Sequence, residues 1–298
     1  MAEKPIQASP LIGAAIARHF NYIKRTYMTL ISLLLVIALE RLTTKSNIWR
    51  SETYMLPYLD FLRSKGWLYT TNAWQIYLAV AMPTLVMWWI FLNLESSLLT
   101  LVLNLVVLFI AVGCPHIRAK FKGYLQASNR GDFAARDLYA EELKFIPANG
   151  ISFGQHMVWI NFRYYFAIAF WFLILGGTGA VMYLTARLLE SQAPDESQRK
   201  VAARVMTILD WVPARIAACG FLLVGHFTQG VKSFSSYLFD LTISARDIVT
   251  QVAKSSEEVE PDTMDCTEEP CTLLRLAKRN MMLLLAVTAV LTLGGWIN

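Results

Sequence analysis

The chain has 298 residues, of which 55% are hydrophobic and 16% charged, with a formal net charge of +5. An average soluble domain carries about 25% charged residues, so this composition excludes an ordinary water-soluble domain. The excess positive charge is spread over several loops beside apolar runs, which is the pattern of membrane sorting and not of a nucleic-acid binder.

The apolar residues come in runs suited to a bilayer, which a helix of about 20 residues crosses. They predict an all-α, polytopic helical membrane protein. It has five or six apolar segments and amphipathic helices in cytoplasmic loops. Residues 1–27 read as an N-terminal extension carrying Lys4, Arg18, Lys24 and Arg25. Segment one, Met28 to Leu39, is short for a span and runs straight into Glu40 and Arg41, so it either crosses or re-enters. It lacks a basic leader and a small-residue cleavage site, and so does not read as a secretory signal. Segment two, Trp74 to Leu94, contains Pro83, which predicts a kink. Glu95 turns the chain into segment three, Ser97 to Cys114. Segment four is a single long run, His156 to Leu184. Segment five, Val205 to Phe227, is less apolar and carries Asp210, Pro213, Arg215 and His226. Segment six, Met281 to Trp296, is uniformly apolar. No internal repeat is visible.

Lysine and arginine counts predict the topology. Residues 43–73 hold four, 115–155 six, 185–204 four and 228–280 six, whereas the turn between segments two and three holds none. The loops 43–73, 115–155 and 228–280 are therefore expected in the cytoplasm. Six segments then leave 185–204 outside, against its charge. In loop 115–155, Asn129-Arg130-Gly131-Asp132 marks a turn. Asp132 is placed to cap an amphipathic helix over Ala134 to Phe145. The stretch from Ser255 to Pro270 holds seven acids and two prolines and is expected to be a flexible acidic loop.

Neither a phosphate-binding glycine loop, nor a metalloprotease helix, nor a nucleophile elbow is present. Four scattered histidines and a lone Cys266-x4-Cys271 pair of reduced thiols predict no metal and no cofactor. What stands out is charge inside apolar segments. An ionised group at mid-bilayer costs about 2.5–3.5 kcal/mol on insertion scales, so it needs a partner or a wet cavity. Arg163 and Asp210, on different segments, are the sharpest candidate pair. Snorkelling to the headgroups is the bland alternative. Asp210 and Arg215 are five apart with Pro213 between them and pair only on a distorted helix. Glu40 closes segment one, either as an interfacial charge or as a carboxylate at a cavity mouth. Arg136 and Glu141 share the amphipathic helix, by default on its solvated face. His116 and Arg118 are placed to bind an anionic headgroup or a phosphate. The candidate site residues are thus Glu40, Arg136, Glu141, Arg163, Asp210 and Arg215.

The blocks MTLISLLLVIALERL, GYLQASNRGDFAARDLYAEEL, VWINFRYYFAIAFWFLILGGTGAVMYLTARLL and LDWVPARIAACGFLLVGHF together resemble the AmpE family of β-lactamase regulatory proteins, from about Met28 to the C-terminus. The resemblance implies a bacterial inner-membrane protein of residues 28–298. It also implies a regulatory role linked to β-lactamase induction and cell-wall recycling. The partners it implies are the bilayer and muropeptide-recycling components. That family in turn is similar to CobD/CbiB, which forms an amide on a cobinamide substrate. The shared traits are Ala135-Arg136, the block from Ala167 to Tyr183 and the block from Asp210 to Ile216. Where CobD/CbiB has Glu, Asn and Asp, this chain has Trp159, Ile160 and Arg163. An amide-forming or ligand-binding enzyme is therefore the alternative to a regulator. A transporter is the third reading, but the chain shows no clear inverted repeat.

Overall fold

A computed structural model describes residues 28–40, 49–67, 73–146, 150–193, 195–238, 243–257 and 267–294. The N-terminal extension and residues 258–266 of the acidic stretch lie outside the described residues. Those described are helix, turn or loop, without a strand.

Helix α1 (Met28–Glu40) is apolar and short. At about 1.5 Å per residue it is too short to cross a bilayer unaided. Five helical segments are long and apolar enough to cross a membrane: Trp74–Asn93, Ser97–Asn129, Phe153–Leu175, Glu196–Val224 and Glu268–Leu293. The chain is therefore a multi-pass helical membrane protein. Its large exposed side chains agree. Leu85, Val86, Trp88 and Trp89 on α3 (Ala73–Asn93), and Leu98 and Leu99 on α4 (Ser97–Ala111), all face outward. In water this apolar surface would be a liability; in lipid it is the natural exterior. Helix α3 continues through Pro83 as helix.

The chain breaks after α4 at residues 112–114. Gly113 takes φ +75 and its N–H bonds the Tyr164 carbonyl at 3.0 Å. Pro115 then starts α5 (Pro115–Asn129) at a position where its missing N–H costs nothing. Asp132 caps α6 (Phe133–Glu142) by accepting from the Ala135 N–H at 3.0 Å. The α5–α6 hairpin has its own small core of Tyr124, Ala140, Leu143, Phe153 and Met157, with the Tyr124 and Phe153 rings stacked 3.9 Å apart.

The expected single run from His156 to Leu184 is two antiparallel limbs. The first is α7 (Phe153–Asn161), a π-turn (Phe162–Phe166) and α8 (Ala167–Leu175). A capping box between Ser152 and Gln155 starts it. Gly176, at φ +64, then reverses the chain into α9 (Gly177–Gln192). The Asn104 side chain accepts from the Gly177 N–H at 3.0 Å. Gly-Gly-Thr-Gly is neither charged nor strongly polar, so hydropathy runs straight through a turn that only backbone conformation reveals.

This reversal corrects the topology. Gln192 returns to the end of the bundle where α2 (Ser51–Ser64) sits, and Arg63 donates to its carbonyl at 2.8 Å. The described residues on either side of the turn after α9, Leu189, Gln192, Gln198 and Ala202, thus lie beside α2 and not at the end marked by Gly176. Helix α10 (Glu196–Val224) starts there: Gln198 and Ala202 line a small cavity with Leu59, Leu189 and Gln192. Past the far end of α10, the His226 N–H bonds Ser256 at the close of α12 (Ala245–Ser255), and α12 in turn holds Gln155 through the Thr250 carbonyl.

Helices α11 (Phe227–Leu238) and α12 are amphipathic, as loop helices should be. Helix α12 buries Ile248, Val249, Val252 and Ala253. Helix α13 (Glu268–Leu293) begins well before the expected Met281 and takes in Cys271 and the end of the acidic stretch. It meets α10 at Gly220. A Cβ there would collide with Asn280, whose amide donates to the Ala217 carbonyl at 2.8 Å. A small residue under an interhelical hydrogen bond is the usual device for packing helices in lipid.

Candidate functional site

Residues 162–166 are the hub. A π-turn has one residue more per turn than an α-helix and often marks a functional position. Here it sends Arg163 towards α9 and α10, and Tyr165 towards α1 and α5.

On the first side, Arg163 reaches Asp210 of α10, as the sequence suggested. Its Nη2 and Nε donate to Oδ2 at 3.0 and 3.2 Å. Its Nη1 also donates to Glu190 of α9 at 2.5 Å. Tyr183 donates to the other Asp210 oxygen at 2.6 Å. Asp210 is 1% exposed, so both of its oxygens are engaged away from water. Arg187 is buried, donates to the Arg163 carbonyl at 2.9 Å and lies 3.9 Å above the Tyr164 ring. The Arg163 guanidinium also stacks on Trp159 at 4.8 Å. Two cations and two carboxylates thus share one network, buried at Asp210 and Arg187 and partly exposed at Glu190, which offsets the desolvation that a lone pair would suffer.

On the second side, Glu40 is 5% exposed at the end of α1. Arg118 pairs with one of its carboxylate oxygens, and the Tyr165 hydroxyl donates to the other at 2.9 Å. Arg118 also donates to Tyr165 at 3.0 Å and to the Glu40 carbonyl at 3.2 Å. Gly113 is required beside them: a Cβ at that position would overlap the Glu40 carboxylate. This triad forms one wall of a cleft of about 710 Å³ between α1, α5, α7 and α13. The rest of the wall is largely apolar (Ile37, Phe121, Ile160, Met282, Leu285) with Asn161 and Tyr164 among it, and Arg275, Lys278 and Arg279 lie in the same lining.

The six candidates do not gather at one point. Arg163 and Asp210 form one cluster, and Glu40 lies in the other, across the π-turn. Arg136 and Glu141 line a separate cleft of about 610 Å³ with Tyr124, Phe145 and Phe153. Arg136 there pairs with Asp137 at 2.7 Å and not with Glu141. Arg215 stacks on Trp211 at 4.0 Å on its own helix and donates to the Trp211 carbonyl. It does not meet Asp210 because that carboxylate faces Arg163 and Tyr183. Residues the sequence did not single out complete the site: Glu190, Tyr183, Arg187 and Tyr165. Glu190 follows an apolar run in the sequence and is marked by no motif. The signal that points to it is the buried Arg163, whose five donors exceed what one carboxylate can accept.

The family model described as the regulatory signalling modulator protein AmpE matches residues 28–297. The chain belongs to the AmpE family. Protein AmpE of Shigella flexneri is 28% identical over 291 residues, covering 90% of this chain and 99% of that one. The cobalamin biosynthesis protein CobD of Chromobacterium violaceum is 40% identical over 70 residues, 22% of each chain. No solved structure gives a significant match. In this AmpE-family chain the matched residues begin where α1 begins, and the two clusters lie within the matched region.

Proposed function

We propose that this membrane protein of the regulatory AmpE family acts in the bacterial inner membrane, in the control of β-lactamase induction by cell-wall recycling. On this reading it exchanges signal with muropeptide-recycling components. The observation that carries the regulatory reading over an enzymatic one is the state of Asp210. A carboxylate that serves as base or nucleophile needs a lone pair directed at substrate. Both Asp210 oxygens are instead taken by Tyr183 and Arg163 inside the bundle. The network ties the π-turn, α9 and α10 at one carboxylate, so a signal that moves one of them acts on the other two.

The test is induction in a deletion strain carrying Asp210→Asn or Arg163→Ala at matched protein level. Loss of β-lactamase induction in both variants is expected. Wild-type induction in both would remove the network from function, and unchanged induction in the deletion strain itself would end the regulatory reading.

An amide-forming or ligand-binding reading is favoured by a different observation, the amphiphilic cleft at Glu40 together with the partial CobD similarity. The cleft serves equally as the input site of a regulator.

A further inference from the structure

We infer that the cleft between α1, α5, α7 and α13 binds a single-chain amphiphile with a phosphate headgroup. The inference rests on the reading of this cleft as a ligand site.

Charge argues for the headgroup. The lining holds four cations, Arg118, Arg275, Lys278 and Arg279, against one carboxylate, Glu40. Two of the cations are committed within the protein: Arg118 to Glu40, and Arg279 to Glu257 at 3.2 Å. Arg275 and Lys278 are exposed, and among the described residues no carboxylate lies within ion-pair distance of either. They are three apart on α13, on one face and one turn apart. Two unspent cations beside a neutralised Arg118–Glu40 pair select an anion, and an anion with several acceptor oxygens satisfies both at once.

Shape argues for the chain. Past the cations, α13 presents Met281, Met282 and Leu285 to the cleft, opposite Ile37, Met157 and Ile160. Three thioethers make a wall that adapts to an irregular aliphatic guest. Met282 is 51% exposed and opens the cleft towards the lipid side of α13. About 710 Å³ lies within the range that encloses one drug-sized ligand, roughly 300–1,000 Å³. That fits one chain with its headgroup.

The test uses the full chain in a neutral maltoside detergent and counts bound ligand by native mass spectrometry, with farnesyl phosphate as probe. Farnesol, inorganic phosphate and phosphatidylglycerol are the comparison ligands. One farnesyl phosphate per chain is expected, at least about tenfold tighter than farnesol or inorganic phosphate. The double variant Arg275→Ala/Lys278→Ala is expected to lose roughly tenfold in farnesyl phosphate affinity with no change for farnesol. Both side chains are exposed, so the variant retains the fold; an unchanged melting temperature verifies this. Equal affinity for farnesol and farnesyl phosphate overturns the headgroup assignment. Saturation by phosphatidylglycerol at the same affinity overturns the single-chain assignment. An unaltered affinity in the variant overturns the site. The regulatory reading fails separately: binding lost in the variant with induction unchanged removes the cleft as the regulator's input and leaves the ligand assignment standing, whereas unchanged induction in the deletion strain ends the regulatory reading itself.

Discussion

Tyr183 donates its hydroxyl to Asp210 at 2.6 Å, while Arg163 holds the opposite oxygen of the same carboxylate at 3.0 Å. Three helical segments, α9, α10 and the π-turn, are thereby tied at one buried carboxylate. Removal of the cation is expected to be the most damaging change, because it strands a charge that is almost wholly buried. Arg163→Ala should cost about 3–5 kcal/mol. Asp210→Asn should cost less, since Glu190 still pairs with Arg163. Glu190→Gln should cost least, because that side chain is partly exposed. Thermal unfolding in detergent, followed by tryptophan fluorescence, checks the order.

The Glu40 triad should behave as a unit. Tyr165→Phe and Arg118→Gln each remove one donor to the same buried carboxylate. Groups sharing one network show coupling of roughly 0.5–3 kcal/mol. A double-mutant cycle on the melting transition should therefore be clearly non-additive. Strict additivity would mean that Arg118 and Tyr165 do not share Glu40.

Gly113 and Gly131 both have positive φ, yet they should respond differently to alanine. At Gly131 nothing lies within 4 Å of an added Cβ, so only the backbone strain, about 1 kcal/mol, is expected. At Gly113 the new Cβ would also displace Glu40. Gly113→Ala should unfold at clearly lower temperature than Gly131→Ala and should weaken ligand binding in the cleft.

Alkaline pH should loosen α2. Tyr58 donates to the Ala79 carbonyl at 2.9 Å, and burial pushes its phenol up to about 12. With α2 undocked, the phenol ionises near its ordinary value of 10. Docking is thus unaffected below pH 10 and weakens as the pH rises from 10 towards 12. Accessibility of a cysteine placed at Leu59, on the buried face of α2, should rise over that window. Tyr58→Phe should abolish the pH dependence.

Much of the fold was legible because burial in lipid leaves long apolar runs. Segments two and three emerged as α3 and α4 nearly as the sequence suggests, and Asp132 caps α6 as its type and position predict. The reversal at Gly176 was hidden because a glycine turn and an apolar helix have similar hydropathy. The early start of α13 was hidden because Glu268 and Glu269 read as loop, although acids also suit a helix N-terminus. At the candidate site, Arg163 with Asp210 was readable from the cost of burying charge. Glu190 and Tyr183 were not, because their partnership depends on α9 folding back beside α8. Arg118 and Glu40 stand 78 residues apart, and only the packing of α1 against the α4–α5 break unites them.

The π-turn of residues 162–166 has a mechanical consequence. At about 100° per residue on a regular helix, and somewhat less on this wider turn, Arg163 and Tyr165, two positions apart, point to nearly opposite sides and grip opposite neighbours of the same short axle. Rotation that tightens one grip slackens the other. Deletion of the residue between them would let the wide turn close to an ordinary α-turn with Arg163 and Tyr165 only about 100° apart, so the two grips could no longer be held at once.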